Sequence, residues 1–291
     1  MTDTPQRPAL AALLTVTASG FVAGTTLLAK AVGTGVLGPA LSPLQISQGR
    51  FLFAFLAFSL AAAILRPTFT RPHLGYHFGR SGLGWGGVTL MFAAATFIPL
   101  SDATAISFLN PVFAMVFAIP FLGERVDPWR WGSAALAFIG AMILTRPSAG
   151  TLQAGALLAL MAALMMGGEM IFIKLLSRRE KPFQILLINN AIGLAIATLA
   201  AVFVWQSPAP LQWVALAGIG LLMASAQTCF INAMRLADAS FVSPIFYTTL
   251  AFATLYDAVI FDVIPDHVTL LGATLILGSA AILAWRETRR K

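Results

Sequence analysis

Charged residues are scarce in this chain. Of its 291 residues, 10% are charged and 58% are hydrophobic, and the mean hydropathy is +0.86. Soluble domains carry about 25% charged residues, because their surfaces face water. The composition therefore excludes a soluble globular enzyme and predicts a bundle of membrane helices surrounded by the lipid bilayer.

Cysteine and acidic residues are also few. The single cysteine, Cys229, lies in an apolar run, so an intrachain disulfide is excluded and packing is its expected role. The 18 basic residues outnumber 11 acidic ones, but they lie in short gaps between apolar runs and not on one polar face. This pattern is typical of cytoplasmic loops, so no nucleic-acid partner is expected.

Catalytic and nucleotide-binding motifs are missing as well. The sequence contains no HExxH, GxSxG or GxxxxGK[ST]. Its two GxGxxG strings, at residues 33–38 and 82–87, lie at the end of one predicted membrane span and within another, and not between a strand and a helix. Neither catalytic residues nor a cofactor is therefore predicted. ATP-driven transport would need another subunit. His73 and His77 have a spacing that can suit a metal, but Pro72 and Gly75 favour a solvated loop, and no metal site is predicted.

Long apolar runs are what the chain has. Windows of about 20 apolar residues, broken by proline, glycine and charges, predict ten spans. They lie at 9–32, 44–65, 82–100, 103–122, 128–145, 153–176, 183–204, 212–234, 239–261 and 267–285. The break at 100–102 is the weakest, where Pro99 to Asp102 provide a helix stop and an N-cap.

Basic residues collect in alternate loops. The loops after the second, fourth and sixth spans and the C-terminal tail contain Arg66, Arg71, Arg80, Arg125, Arg130, Arg178, Arg179, Lys181, Arg286, Arg289, Arg290 and Lys291. By the positive-inside rule both termini face the cytoplasm and the 209–212 region faces outward. We expect a multi-pass protein of the cell inner membrane.

The two halves of the sequence repeat each other. Residues 107–113 are echoed by residues 240–246, and residues 43–46 are echoed by residues 182–185. Because each copy has an odd number of spans, the second copy must enter the membrane from the opposite side. The sequence predicts an all-α membrane protein of two inverted five-helix repeats, residues 1–150 and 151–291, an architecture typical of alternating-access transporters.

Both halves resemble the EamA domain of the drug/metabolite transporter superfamily. The first copy carries the resemblance through Pro111-Val-Phe, Leu122-Gly-Glu-Arg, Gly132 and Gly140, and the second through Pro244 and Gly272. The second copy departs from the pattern with Tyr256-Asp-Ala in place of Gly-Glu-Arg. The resemblance implies a ten-helix exporter or exchanger of amino acids and similar small metabolites. The chain is most similar to the bacterial aromatic amino-acid exporters.

Polar residues within the spans are the candidate substrate-binding residues, because polar side chains avoid lipid. On one face of span 4 lie Ser107, Asn110, Pro111 and Ala114, and on one face of span 9 lie Ser240, Ser243, Pro244 and Tyr247. Further candidates are Thr228 and Asn232 in span 8, Trp85 in span 3 and Arg50 in span 2. The alternatives are close helix packing for the small polar residues and interfacial anchoring for Trp85.

Glu169 is the only acidic residue well inside a predicted span. A carboxylate there is costly unless it is paired, protonated or hydrated. It is a candidate proton site or anchor for a substrate ammonium group, and the alternative is a structural ion pair with Arg50 or Lys30. Lys30 and Lys174 are expected to extend towards the interface, and Glu124 is expected in a loop ion pair.

The predicted function is a secondary transporter that exports amino acids, including aromatic and other neutral ones, or related small metabolites. It would work by alternating access, down the substrate gradient, because intramembrane charge is sparse. The alternatives are a proton-coupled drug/metabolite antiporter and, less favoured, an intramembrane enzyme or a channel. The substrate, its coupling, the direction of transport and the oligomeric state stay open.

Overall fold

The computed structural model describes residues 7–94, 97, 106–145, 154–260 and 266–289, and all regular structure in these ranges is helical. In chain order the α-helices are α1 (Pro8–Gly33), α2 (Pro43–Leu65), α3 (Leu74–Ala94), α4 (Asn110–Leu122), α5 (Pro128–Thr145), α6 (Ala154–Ser177), α7 (Pro182–Ala201), α8 (Pro210–Leu236), α9 (Ala239–Ile245), α10 (Thr248–Ile260) and α11 (His267–Arg289). A 3-10 turn, Val202–Val204, extends α7.

Seven segments are long and apolar enough to cross a membrane. They are Pro8–Gly33, Pro43–Leu65, Gly155–Ser177, Pro182–Val204, Pro210–Leu236, Ala239–Tyr256 and His267–Arg289. The chain is therefore a multi-pass membrane protein, and the count of ten spans stays a prediction. The predicted break at 100–102 and the predicted repeat boundary near 150 lie outside the described residues.

Proline marks the beginning of six of the described helices. Pro8, Pro43, Pro111, Pro128, Pro182 and Pro210 all lie in a first helical turn, where the missing amide hydrogen costs no helical hydrogen bond. For Pro111 this corrects the expectation of a proline within a continuous span. A turn at residues 108–109 precedes α4, so Pro111 begins a helix and does not interrupt one.

Helices of the first half pack mainly on helices of the second half. The largest contacts pair α1 with α8, α3 with α6, and α5 with α11. The α2 helix packs on both α7 and α8, and α4 packs on α6. The two halves therefore form one interleaved bundle, and a side chain from one half can meet its partner only after both halves have folded together.

Glycines allow two of these helix pairs to approach closely. A Cβ atom on Gly87 of α3 would lie 2.7 Å from Cγ of Met166 in α6. A Cβ atom on Gly220 of α8 would lie 2.5 Å from Cβ of Phe53 in α2. Small residues at such contacts are how membrane helices pack without a hydrophobic driving force between them. Here they bring α3, α6, α2 and α8 around one central space.

Candidate functional site

The central space is a cavity of about 270 Å³ between α2, α3, α4, α6, α7 and α8. Its polar lining consists of Ser47, Arg50, Arg80, Ser81, Asn110, Glu169, Asn189 and Gln227. Its aromatic lining consists of Phe51, Trp85, Phe230 and Phe246. Apolar walls with a few convergent polar groups are typical of sites for small organic molecules.

An ion pair between α3 and α6 lies at the polar centre of the cavity. Nε of Arg80 lies 3.7 Å from Oε1 of Glu169, and the two side chains are 3% and 26% exposed. The carboxylate also interacts electrostatically with Arg50. Two guanidinium groups thus compensate one carboxylate, which meets the requirement that a buried charge be paired.

Arg50 is positioned by an aromatic ring. Its guanidinium carbon lies 4.1 Å from the centre of the Phe51 ring, a cation–π contact. The ring in turn lies against Gly193 of α7, where an added Cβ atom would come within 2.3 Å of a Phe51 ring carbon. The α2–α7 contact therefore fixes both the ring and the arginine that lies over it.

Arg80 is the site residue that sequence reasoning missed. The sequence predicts a cytoplasmic loop at Arg80 and, as the alternative to a functional role for Glu169, an ion pair with Arg50 or Lys30. The structure corrects the first expectation, because α3 begins at Leu74 and not at residue 82, which places Arg80 within the helix. It pairs Glu169 with Arg80, in addition to the electrostatic interaction with Arg50. A signal was present in the sequence: His77, Arg80 and Gly84 recur at helical spacing and share one face of α3.

Two polar groups of the cavity have unsatisfied atoms. Nε and Nη1 of Arg80 and Oδ1 of Asn110 are buried without a hydrogen-bond partner among the described residues. The 3.7 Å separation between Arg80 and Glu169 exceeds the range of an N–H···O hydrogen bond. Buried polar atoms are nearly always hydrogen-bonded, so these atoms are available for a ligand.

Amide pairs surround the charged centre. The hydroxyl of Ser81 donates to Oδ1 of Asn189 at 3.3 Å. The amide of Asn190 donates to Oε1 of Gln227 at 3.0 Å and to the Leu186 carbonyl. These bonds join α3 to α7 and α7 to α8, and they orient the polar wall of the cavity.

The residues predicted to bind substrate divide into two groups. Arg50, Trp85, Asn110 and Glu169 line the cavity. The other predicted residues do not belong to its lining, namely Ser107, Pro111, Thr228, Asn232, Ser243, Pro244 and Tyr247. Trp85 is 47% exposed, so its ring borders the cavity without being enclosed by it.

Most of the second group bind the backbone. Thr228 and Asn232 donate to the carbonyls of Ala224 and Thr228 at 2.7 and 2.8 Å. Ser243 donates to the Ala239 carbonyl at 2.7 Å, and the hydroxyl of Tyr247 donates to the carbonyl of Phe108. These side chains are satisfied in the structure as it stands, unlike Arg80 and Asn110.

Glu124 caps a helix at the end of the bundle opposite the 209–212 region. Its carboxylate accepts from the amides of Ala239 and Ser240 at 2.9 and 3.0 Å and from the Ser240 hydroxyl at 2.7 Å. The side chain is buried, in contrast to the expected loop ion pair. A carboxylate at the first turn of α9 satisfies amides that have no helical partner.

Lys174 also differs from expectation. It was expected to extend towards the membrane interface, but it is 3% exposed. Its Nζ donates to the carbonyl of Met234 at 2.6 Å and to that of Ala237, at the C-terminal end of α8. The ammonium group therefore satisfies carbonyls that end a helix, where a positive charge is also favoured by the helix dipole.

The expectation of a solvated loop at His73 and His77 is wrong for His77, which is fully buried in α3. Both imidazole rings contact the carboxylate of Glu180, each at 3.1 Å, and the amide of His73 donates to it at 2.6 Å. Burial raises the pKa of Glu180, but these hydrogen bonds outweigh it and bring the pKa below its ordinary value. The cluster joins the α2–α3 loop to the α6–α7 loop.

Comparison with known proteins gives a consistent result. The model of the EamA-like transporter family matches twice, at residues 9–146 and 153–285. A riboflavin transporter of Rhizobium johnstonii is 34% identical over 219 residues, which are 74% of this chain and 72% of that protein. A pseudopaline exporter of Pseudomonas aeruginosa is 28% identical over 205 residues, covering 68% and 70% of the two chains.

Two further similar proteins match most of the chain. An S-adenosylmethionine uptake transporter of Rickettsia bellii is 25% identical over 256 residues, 87% of each protein. A crystal structure of a protein with 22% identity superposes with a TM-score of 0.78 and covers 94% of this chain and 97% of its own. The structural likeness shows a shared fold.

Proposed function

Because this chain belongs to the EamA-like transporter family, we propose that it is a secondary transporter that moves a small metabolite through the central cavity by alternating access. The observation that carries the proposal is the cavity itself, which is enclosed by helices of both halves and contains buried polar atoms without partners among the described residues. A cavity at the interface of two repeats is where alternating-access carriers bind their substrates.

The arrangement of helices supports ten spans in two inverted repeats. The family model matches the chain twice, once in each half. The contact of α1 with α8 has a counterpart in the contact of α3 with α6, as a two-fold relation between the halves requires. The contacts of α2 with α7 and of α5 with α11 would lie on the two-fold axis itself.

Amino acids or related small metabolites are the proposed substrates. Arg50 and Glu169 provide charges for a carboxylate and an ammonium group, and Asn110, Asn189 and Gln227 provide amides. A second candidate is riboflavin, since three relatives are named for its transport and four aromatic rings line the cavity. Relatives named for uptake and for export both exist, and we propose export for this chain.

We propose that the substrate moves down its own concentration gradient, without proton coupling. Arg80 lies 3.7 Å from Glu169, and an adjacent guanidinium can neutralise this carboxylate in place of a bound proton. We expect purified wild type and Glu169→Gln to show the same absence of uphill efflux under an imposed pH gradient. Efflux driven uphill by wild type alone would favour the proton-coupled antiporter.

Counterflow in proteoliposomes tests the proposal. Liposomes loaded with one unlabelled compound, drawn from the common amino acids and riboflavin, are diluted into a trace of the same labelled compound. A carrier accumulates label transiently above equilibrium for at least one compound, whereas a channel only equilibrates it. Equilibration without overshoot for every transported compound, or chemical conversion of the label, would overturn the proposal.

A further inference from the structure

We infer that the cavity recognises an anionic group of its substrate, a carboxylate or a phosphate, and that Arg80 is the residue that binds it. This inference rests on the proposed transport function and narrows its substrate class. Three observations support it: the net charge of the cavity lining, the unpartnered N–H groups of Arg80 and the position of Glu169.

The charged side chains that line the cavity sum to one excess positive charge. Arg50, Arg80 and Glu169 are the charged side chains of the described lining. Two guanidinium groups and one carboxylate give the cavity a formal charge of +1. An uncompensated charge within the membrane is costly, and a substrate anion would remove that cost.

The hydrogen-bonding geometry identifies which arginine takes the anion. Arg80 is 2% exposed, and its Nε and Nη1 have no partner among the described residues. Each of these N–H groups can donate a charge-assisted hydrogen bond to an oxygen of a carboxylate or phosphate. Arg50 instead lies over the Phe51 ring, so it contributes charge from one side.

Glu169 is placed as an internal counter-ion that does not occupy the Nε and Nη1 donors of Arg80. Its Oε1 lies 3.7 Å from Nε of Arg80, too far for a hydrogen bond. Its carboxyl carbon lies over Gly84, within 2.8 Å of where a Cβ atom would be. The empty site is thus partly neutralised, and the N–H groups of Arg80 stay free for an incoming anion.

Asn110 adds a second requirement. Its Oδ1 is buried and lacks a donor among the described residues. A ligand that places an anion on Arg80 and an N–H or O–H group near Asn110 would supply partners to the two lining side chains whose buried polar atoms lack them among the described residues. The substrate class is therefore a small metabolite with an anionic group and a hydrogen-bond donor.

Matched probes test the inference. The carboxylate series is phenylalanine, N-acetylphenylalanine and phenylalaninamide, and the phosphate pair is riboflavin 5′-phosphate and riboflavin. Acetate and inorganic phosphate are the minimal anions. Binding is measured as stabilisation of the detergent-purified full chain against thermal unfolding, and transport as inhibition of counterflow.

The inference predicts that an anionic member binds at least about tenfold more tightly than its uncharged or amide counterpart, the loss expected for one charge-assisted hydrogen bond. Whether the carboxylate or the phosphate series responds identifies the source of the anion. Arg80→Gln should bring this ratio close to one, and Arg80→Lys should keep part of it. Arg71→Gln, an exposed arginine in the α2–α3 loop, is the matched control and should keep the ratio.

Each outcome decides between the claims. Equal binding of phenylalaninamide and phenylalanine together with equal binding of riboflavin and its phosphate, no stabilisation by any anionic probe, or an undiminished ratio in Arg80→Gln would overturn the inference. Counterflow with no preference for the anionic probes would support the transport function and contradict the anion site. Tighter binding of the anionic probes without any counterflow would support the anion site and contradict the transport function. If Arg80→Gln does not fold, the wild-type ratio decides.

Discussion

At the scale of single residues, the charged centre depends on the absence of a side chain. Gly84 lies beneath the Glu169 carboxylate, and an added Cβ atom would lie 2.8 Å from its Cδ and Oε2. Carbon and oxygen atoms do not approach that closely without a bond, so the flexible end of Glu169 would have to move. The glycine therefore controls the distance between Glu169 and Arg80.

Gly84→Ala should reduce transport at least about tenfold while leaving the fold intact. The clash falls on a mobile carboxylate, and alanine gains about 1 kcal/mol over glycine in a helix, which offsets part of the overpacking cost of about 1–3 kcal/mol. Counterflow rates and thermal unfolding temperatures measure the two effects separately.

The matched control is Gly82→Ala in the same helix. An added Cβ atom at Gly82 meets nothing within 4 Å, so only the gain in helix propensity applies. Transport by this variant should equal that of wild type. Equal transport by Gly84→Ala and Gly82→Ala would show that the position of Glu169 does not matter for substrate movement.

At the scale of helices and loops, two features connect elements that are distant in the chain. Glu180 joins the α2–α3 loop to the start of α7 through His73 and His77. The α9–α10 region is broken by a turn near Phe246, beside the cavity. We expect the Glu180 contacts to govern stability and the break near Phe246 to govern the rate of transport.

Glu180→Gln should lower the stability of the folded protein by about 1–3 kcal/mol at neutral pH, because buried His77 loses its charged partner. The folded-state pKa of Glu180 is below its ordinary value of 4.5, so its contribution is present above that value and is lost as the pH falls through the lowered pKa. Unfolding temperatures of wild type and variant should therefore differ at neutral pH and converge in acid. A difference that grows in acid would contradict this account.

Pro244→Ala should slow turnover more than Pro111→Ala does. Pro244 lies inside the short helix α9, so alanine there favours a continuous α9–α10 helix, whereas Pro111 begins α4 and interrupts nothing. Both variants should keep the unfolding temperature within a few degrees of wild type. Equal turnover in the two variants would show that the break at α9 has no role in the transport cycle.

Sequence patterns predicted the helices better than they predicted the site. Prolines and apolar runs marked where α2, α7 and α8 begin, because these signals are local. The role of Arg80 was not predictable in the same way, since its partner Glu169 is brought to it by packing of α3 on α6. The local rule that assigns arginines to cytoplasmic loops therefore misplaced the residue that the tertiary fold buries.

At the scale of the whole molecule, the polar contacts separate into two ends. The loops that contain most of the basic residues meet at one end, through pairs such as His77 with Glu180 and Arg130 with Asp238. At the other end Gln212 donates to the Pro39 carbonyl, and Gln45 bonds to the backbone of Gln206. By the positive-inside rule, the predicted topology places the basic end in the cytoplasm.

The central claim is that one cavity serves both sides of the membrane in turn, and thiol accessibility tests it most directly. Ser47→Cys places a thiol on the cavity lining once the native Cys229 is replaced by alanine. Ser207→Cys, in the exposed segment between α7 and α8, is the matched control. In vesicles of known orientation, a membrane-impermeant thiol reagent should label the Ser47→Cys variant from either side. Bound substrate should slow that labelling, but it should not slow labelling of the Ser207→Cys variant. Labelling of the Ser47→Cys variant from one side only, with or without substrate, would contradict alternating access through this cavity.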